Sequence, residues 1–155
     1  MPWELSVAHP NGHRLGSPKE VKAKLSRVWP QLEWETAPPL LEQIQEDPEH
    51  PVHALLPTWS AEMRRRAALP KTVGMLEGAS FSFEIFGLDD DPVEDFYLDV
   101  RGNGDPTPTL MQLKSQVGWV LKELATDRIL DQRQLQERWA NFLRMRDDAL
   151  GRAKE

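Results

Sequence analysis

The sequence predicts an α+β fold: an antiparallel sheet of about five or six strands, covered on one face by helices, with a C-terminal helix. Segments 81–85 and 96–100 carry the clearest signal, because apolar residues alternate strictly with residues that are mostly polar. A period of two is typical of strands with one buried and one exposed face. Helical spacing of the apolar residues after Asp131 predicts the terminal helix. The alternating apolar residues are Phe81, Phe83, Ile85, Phe96, Leu98 and Val100.

The N-terminal part predicts two strands around a helix. In order, we expect a strand at 3–7, a turn at 10–12 with a short return through 13–15, a helix from Ser17 to Trp29 and a strand at 32–34. Asn-Gly suits the turn, because its residues accept positive φ angles. Ser17 followed by Pro18 is typical of a helix start, and Pro30 ends the helix.

The segment from residue 37 to residue 70 is rich in proline, which predicts short elements. We expect a helical turn after Pro39 and two helical pieces between His53 and Leu69, divided at Pro57. Thr58 is the expected cap of the second piece. The residues expected to share its buried face are Trp59, Met63 and Ala67.

Beyond residue 70 the pattern favours a meander followed by a helix. A looser strand at 73–76 precedes the two alternating strands, and consecutive strands joined by short turns usually pair antiparallel. Asp105 or Thr107 is expected to cap the next helix, and Gly118 to end it, leaving 119–123 as a strand. The alternative interpretation continues that helix through Leu124.

We therefore expect one domain over residues 1–155. The sheet and its packed helices occupy 1–124, and the C-terminal helix occupies 131–153. The chain has 155 residues and no cysteine, which excludes disulfides, thiol nucleophiles and cysteine-ligated metals.

The net charge of −6 argues against a nucleic-acid partner, because phosphate attracts basic proteins. No basic region followed by an apolar stretch opens the sequence, and no apolar run could span a bilayer. We expect a cytoplasmic protein with no membrane contact and no cofactor.

The candidate partner-binding site is an acidic turn between two strands. Its carboxylates are Asp89, Asp90, Asp91, Glu94 and Asp95. Their spacing does not match an EF-hand loop, so we expect no metal there. The turn is either a solvated hairpin that discourages aggregation or a docking patch for a basic protein.

A second candidate is the loop at 101–106, with Arg101, Asn103 and Asp105. Its glycines would let the backbone approach a ligand, although it is neither a Walker loop nor a dinucleotide-binding pattern. The simpler interpretation is a connection from strand to helix. Neither the four histidines nor the three consecutive arginines at 64–66 form a recognisable motif, and no catalytic residue is predicted.

Several short motifs follow one another in a recognisable order along residues 3–123. They are Trp3-Glu4-Leu5, Gly12 with Leu15-Gly16-Ser17 and Val21, Trp34, Phe81-x-Phe83, Asp91-Pro92-Val93, the segment 100–106 (Val-Arg-Gly-Asn-Gly-Asp-Pro) and Gly118-Trp119. In this pattern the chain resembles a group of small, uncharacterised bacterial α+β proteins. The resemblance implies a fold but no activity, so it assigns no site residue.

These observations favour a non-catalytic protein-binding module, of the immunity or adaptor type, that acts through an acidic surface. Two alternatives remain open. One is a hydrolase that depends on the turn carboxylates or on a divalent cation. The other is a structural protein that self-associates through its C-terminal helix.

Overall fold

Seven strands form a single antiparallel sheet in the computed structural model, which describes residues 2–153, with only the backbone at 152 and 153. The strands are β1 (Trp3–Ala8), β2 (Glu33–Ala37), β3 (Lys71–Glu77), β4 (Phe81–Phe86), β5 (Asp95–Gly102), β6 (Val120–Glu123) and β7 (Arg128–Leu130). Their order across the sheet is β2-β3-β4-β5-β1-β6-β7. Residues 1, 154 and 155 of the predicted domain lie outside the described residues.

Five helices accompany the sheet. They are α1 (Pro18–Val28), α2 (Leu40–Glu46), α3 (Ala61–Ala67), α4 (Thr107–Val117) and α5 (Gln132–Ala153), with two short 3-10 turns at Pro51–Ala54 and Leu56–Thr58. The α+β prediction is confirmed, including the C-terminal helix, with one strand more than the upper expectation. The additional strand is β7, which has three residues and leaves Ile129 half exposed.

Tryptophan side chains pack the covering helices against one face of the sheet. Trp29, at the end of α1, lies 5.6 Å from Phe83, measured between ring centroids. Trp119 follows α4 and lies 5.7 Å from Phe96, while Trp139 of α5 lies 5.5 Å from Trp3. The strand register brings the apolar residues of three strands onto this face. Leu5 of β1 pairs with Leu98 of β5, which pairs with Ile85 of β4. All three of these aliphatic side chains are fully buried.

Helix ends follow the local chemistry of the sequence. The Ser17 hydroxyl accepts a hydrogen bond from the Glu20 amide at 3.2 Å, and Pro18 occupies the first turn of α1. At α5, Asp131 accepts from the Gln134 amide at 2.8 Å, and the Gln134 side chain accepts from the Asp131 amide at 3.0 Å. This reciprocal pair is a capping box, which satisfies amides that have no partner inside the helix.

Gly118 ends α4, as the preferred interpretation predicted. Its φ of 79° lies in the left-handed region, which glycine enters without steric cost. Trp119 then turns back and leads into β6. The alternative of a helix continuing through Leu124 is therefore wrong.

Several local predictions were wrong. Pro57 does not divide two helical pieces but lies inside the second 3-10 turn. Helix α3 begins at Ala61 and is capped by Ser60, whose hydroxyl accepts from the Met63 amide; the Thr58 hydroxyl instead donates to the Leu55 carbonyl. Met63 is half exposed, so the expected buried face is reduced to Ala67. The return strand at 13–15 is replaced by a single bridge between Gly16 and Val93.

Candidate binding surface

The acidic turn is anchored to the core on both sides. Leu88 before it and Val93 within it are each 1% exposed. The Leu15 amide donates to the Val93 carbonyl at 2.8 Å, and the Val93 amide donates to the Gly16 carbonyl at 2.8 Å. Buried side chains and paired backbone groups hold the turn in one position relative to the sheet.

The five predicted carboxylates have different roles. Asp89 Oδ1 accepts from the Thr72 amide at 3.0 Å, which fixes the turn against β3. Asp90 Oδ2 lies 3.6 Å from Arg66 Nη2, and both side chains are more than half exposed. Asp91, Glu94 and Asp95 are exposed, and they form no ion pair with the side chains of residues 2–151. Three carboxylates therefore face solvent without an ion pair to any described side chain, next to the exposed Asp90.

The histidines serve local turns in the structure. His9 Nδ1 accepts from the Asn11 amide at 3.1 Å, and His50 Nδ1 accepts from the Val52 amide at 3.1 Å. Within the described part of the chain, no three side chains of the metal-ligating types gather closely enough to hold a metal ion.

The second candidate loop is a docking point for α5. Arg101 Nη1 lies 3.5 Å from Glu84 Oε2, Asn103 Oδ1 accepts from Arg146, and Asp105 Oδ1 accepts from the Thr107 amide at 3.0 Å. Thr107, whose amide donates to Asp105, is the first residue of α4, and Pro106 occupies the N-cap position. Each of the three predicted side chains therefore has a partner within the fold.

Close packing explains the loop glycine at position 104. A Cβ atom there would lie 1.7 Å from the Ser80 hydroxyl oxygen. The Gly104 carbonyl accepts from Trp139 Nε1 at 2.7 Å, and the Gly102 carbonyl accepts from Arg146 Nη1 at 2.8 Å. The backbone thus approaches other parts of this chain, which supports the simpler interpretation of a strand-to-helix connection.

An apolar pocket that the sequence did not predict lies beside the acidic turn. Its volume is about 390 Å³, and it lies between α3, the start of β3 and the turn. The apolar lining is Leu40, Trp59, Met63, Ala67, Leu69 and Pro70. Arg66, Lys71, Asp89 and Asp90 contribute the charged part of the lining. Its walls come from three separate stretches of chain, so no local periodicity could have indicated it.

The sheet face opposite the helices carries a row of carboxylates. Asp99 of β5 pairs in register with Glu4 of β1 on one side and with Glu84 of β4 on the other. Burial and the charge of Glu4 raise the pKa of Asp99; Arg101 opposes this, and Glu84 adds to it. The Asp99 Oδ1 atom is buried and has no hydrogen-bond partner among the described residues.

An ion pair between the buried carboxylate of Glu123 and the partly exposed side chain of Arg138 joins β6 to α5 on the helical side. The Glu123 carboxylate, 7% exposed, accepts hydrogen bonds from Arg138, from Trp3 Nε1 and from the Thr126 hydroxyl. The hydrogen bonds from Arg138 are the main reason that the pKa of Glu123 lies below its ordinary value, with burial opposing them. This pair was not predicted, because 15 residues separate its members and a turn and a strand lie between them.

Comparison with known proteins provides no further identification. No family model, curated protein or solved structure matches this chain. The resemblance to small bacterial α+β proteins therefore remains a prediction. In the described residues no helix combines the length and the apolar character needed to cross a bilayer.

Proposed function

We propose that this protein is a non-catalytic protein-binding module that uses the acidic turn to contact a basic partner. The observation that carries the proposal is the presentation of Asp91, Glu94 and Asp95 on a turn whose flanks are locked into the core. A turn that served only solubility would need exposed charge but no such anchoring.

Anchoring matters because binding requires the contact groups to lose conformational freedom. A surface held in place by the fold has already lost much of that freedom, so less of the interaction energy is spent on ordering it. The net charge of −6 and the exposed carboxylates would also attract a basic partner from a distance and raise the association rate. Such attraction weakens as salt is added.

An immunity-type protein or an adaptor would use this surface in the same way. Each acts by occupying a partner, so neither needs a catalytic constellation. The partner is expected to present lysine or arginine side chains at its own interface.

Affinity capture from an extract of the native host, at low and at moderate salt, tests the proposal. The test variant is Asp91→Asn/Glu94→Gln/Asp95→Asn. The matched control is Glu35→Gln/Glu137→Gln/Asp148→Asn, which removes three exposed carboxylates on β2 and α5. The two variants have the same net charge, so they separate the effect of location from that of total charge.

We expect one partner to be captured by the unmodified protein and by the control, and to be lost or greatly reduced with the turn variant. Its capture should fall between low and moderate salt. Equal capture by all three proteins, or no specific capture at either salt concentration, would contradict the proposed function.

A further inference from the structure

We infer that the pocket beside the acidic turn receives an apolar side chain of the partner, next to a basic residue that lies against Asp90 and Asp91. This inference rests on the proposed function and specifies the chemistry of the segment that is bound. The pocket adjoins the turn directly, because Asp89 and Asp90 belong both to the turn and to the pocket lining.

Exposed apolar surface gives the pocket its affinity for an apolar group. Met63 is 50% exposed and Leu69 is 36% exposed, and both line the pocket together with Trp59. Large apolar side chains left in water gain free energy when a ligand covers them. A volume of about 390 Å³ is at the small end of the range for ligand pockets and suits one leucine-sized or phenylalanine-sized side chain with its neighbouring backbone.

The charged residues at the rim of the pocket determine where a basic residue of the partner can bind. Lys71 lines the pocket as well, so a cation beside it would be repelled, whereas Arg66 already lies against Asp90. Asp90 is on the side of the turn, and its contact with Arg66 is long at 3.6 Å and well exposed. Exposed ion pairs of this kind contribute little, so a cation of the partner can replace Arg66 at low cost.

Asp89 has a structural role, and Asp91 is available to a partner. The Asp89 carboxylate is committed to the Thr72 amide, so it shapes the pocket rather than exchanging partners. Asp91 follows directly in the chain and is exposed. A segment with an apolar residue followed by lysine or arginine would therefore match both the apolar wall and the carboxylates beside it.

Titration of the 15N-labelled 155-residue chain with short peptides tests this match. The probes are acetyl-Leu-Lys-Lys-amide, acetyl-Ala-Lys-Lys-amide and acetyl-Leu-Glu-Glu-amide, each added to about 10 mM, because single-side-chain contacts bind in the millimolar range. We expect Leu-Lys-Lys to shift the amide signals of Leu69, Gly87 and Asp90. Replacing leucine by alanine should weaken binding about tenfold, because most of the buried apolar surface is lost.

Met63→Gln is the diagnostic variant, and Met145→Gln is its control. Both methionines are at least half exposed, so neither substitution removes a core residue. We expect Met63→Gln to weaken Leu-Lys-Lys binding several-fold and Met145→Gln to leave it unchanged. No pocket shifts at the highest concentration, or equal shifts with the alanine probe, would overturn the inference. Stronger binding of Leu-Glu-Glu would also overturn it and would identify a pocket for anionic amphiphiles.

Affinity capture with the turn variant and with Met63→Gln distinguishes failure of this inference from failure of the proposed function. If the turn variant loses the partner while Met63→Gln retains it fully, the inference fails and the proposed function stands. If the turn variant retains the partner, the proposed function itself fails.

Discussion

Arg138 of α5 holds the buried carboxylate of Glu123 in β6 with its Nε atom 3.0 Å from Oε1 and 3.1 Å from Oε2. Trp3 Nε1 completes the arrangement at 3.2 Å from Oε2. One carboxylate thus joins the first strand, the sixth strand and the terminal helix. Replacing it should affect how α5 sits on the sheet.

Glu123→Gln is expected to destabilise the protein by about 1–2 kcal/mol at neutral pH, because the hydrogen bonds from Arg138 and Trp3 lose their charged acceptor. Urea unfolding measures the change. Glu137→Gln is the control, since Glu137 also pairs with an arginine, Arg133 at 3.1 Å, but is 59% exposed. The control should change stability by less than about 0.5 kcal/mol. Equal effects of the two variants would contradict the role of burial.

The lowered pKa of Glu123 also predicts how stability depends on pH. A carboxyl group with a folded-state pKa below its ordinary value of 4.5 binds fewer protons in the folded than in the unfolded protein across that interval. Its contribution is therefore present in full above pH 4.5 and is lost as the pH falls through the folded-state pKa. The difference in unfolding free energy between the wild type and Glu123→Gln should shrink as the pH falls below 4.5 and through the folded-state pKa. A constant difference over that range would argue against the assignment.

The contribution of Asp99 to stability should depend on pH in the opposite direction to that of Glu123. Its folded-state pKa lies above the ordinary value of 3.8, so the folded protein binds more protons than the unfolded one in that interval. Stability is then lost as the pH rises through the elevated pKa. We expect Asp99→Asn to stabilise the protein by about 0.5 kcal/mol at pH 7, with the gain vanishing toward pH 4.

Chemical denaturation across this pH range measures the effect, with Asp148→Asn as an exposed control that should change little. The carboxyl signal of Asp99, followed by NMR, should titrate above pH 3.8. Destabilisation of Asp99→Asn at pH 7 would show that its carboxylate makes a favourable contact in the fold.

Periodicity made most of the sheet predictable. Strand β5 buries Phe96, Leu98 and Val100 on one face, and β4 buries Phe83 and Ile85 there with Phe81 partly buried. Their apolar residues therefore recur at every second position and can be read without knowledge of the neighbouring strands. Strand β7 gave no such signal, because two of its three residues are exposed and it is defined only by pairing with β6. Thr58 and Ser60 are both good caps, but Thr58 lies in the preceding 3-10 turn and its hydroxyl donates to the Leu55 carbonyl, so Ser60 caps α3.

The candidate site was predictable only in part. The acidic residues of the turn are visible in the sequence, but the role of Asp89 depends on Thr72, 17 residues earlier in the chain. Likewise, Asn103 stood out beside glycines, whereas its partner Arg146 is 43 residues away. Contacts between distant segments decide which polar groups are committed to the fold and which face a partner.

Gly74 should not tolerate a side chain, because Trp34 of β2 lies across it. An added Cβ atom would come within 2.9 Å of the indole ring, whose Nε1 donates to Ser26 of α1 at 3.0 Å. We expect Gly74→Ala to cost about 1–3 kcal/mol of stability through overpacking. Gly151→Ala is the control: nothing lies within 4 Å of its added Cβ, and alanine in a helix should stabilise by up to about 1 kcal/mol.

Removing the ring tests the cause of that cost. In a Trp34→Leu background, Gly74→Ala should cost clearly less than it does in the wild type, because a smaller side chain leaves room for the methyl group. Thermal unfolding of the four proteins forms the cycle. If the cost is the same in both backgrounds, the strain arises elsewhere on β3.

Trp139 shows that α5 belongs to the core of its own chain. The residue is 4% exposed, its ring lies 5.5 Å from that of Trp3, and its Nε1 bonds to the Gly104 carbonyl. Trp139→Ala should therefore cost about 3–5 kcal/mol of stability, against almost nothing for Met145→Ala, which alters a side chain that is 67% exposed. Trp139→Phe should fall between them, because it keeps much of the ring surface and loses the hydrogen bond. A helix that served chiefly as a contact between copies would give the reverse: Trp139→Ala would leave the unfolding free energy unchanged and reduce only the mass measured by light scattering.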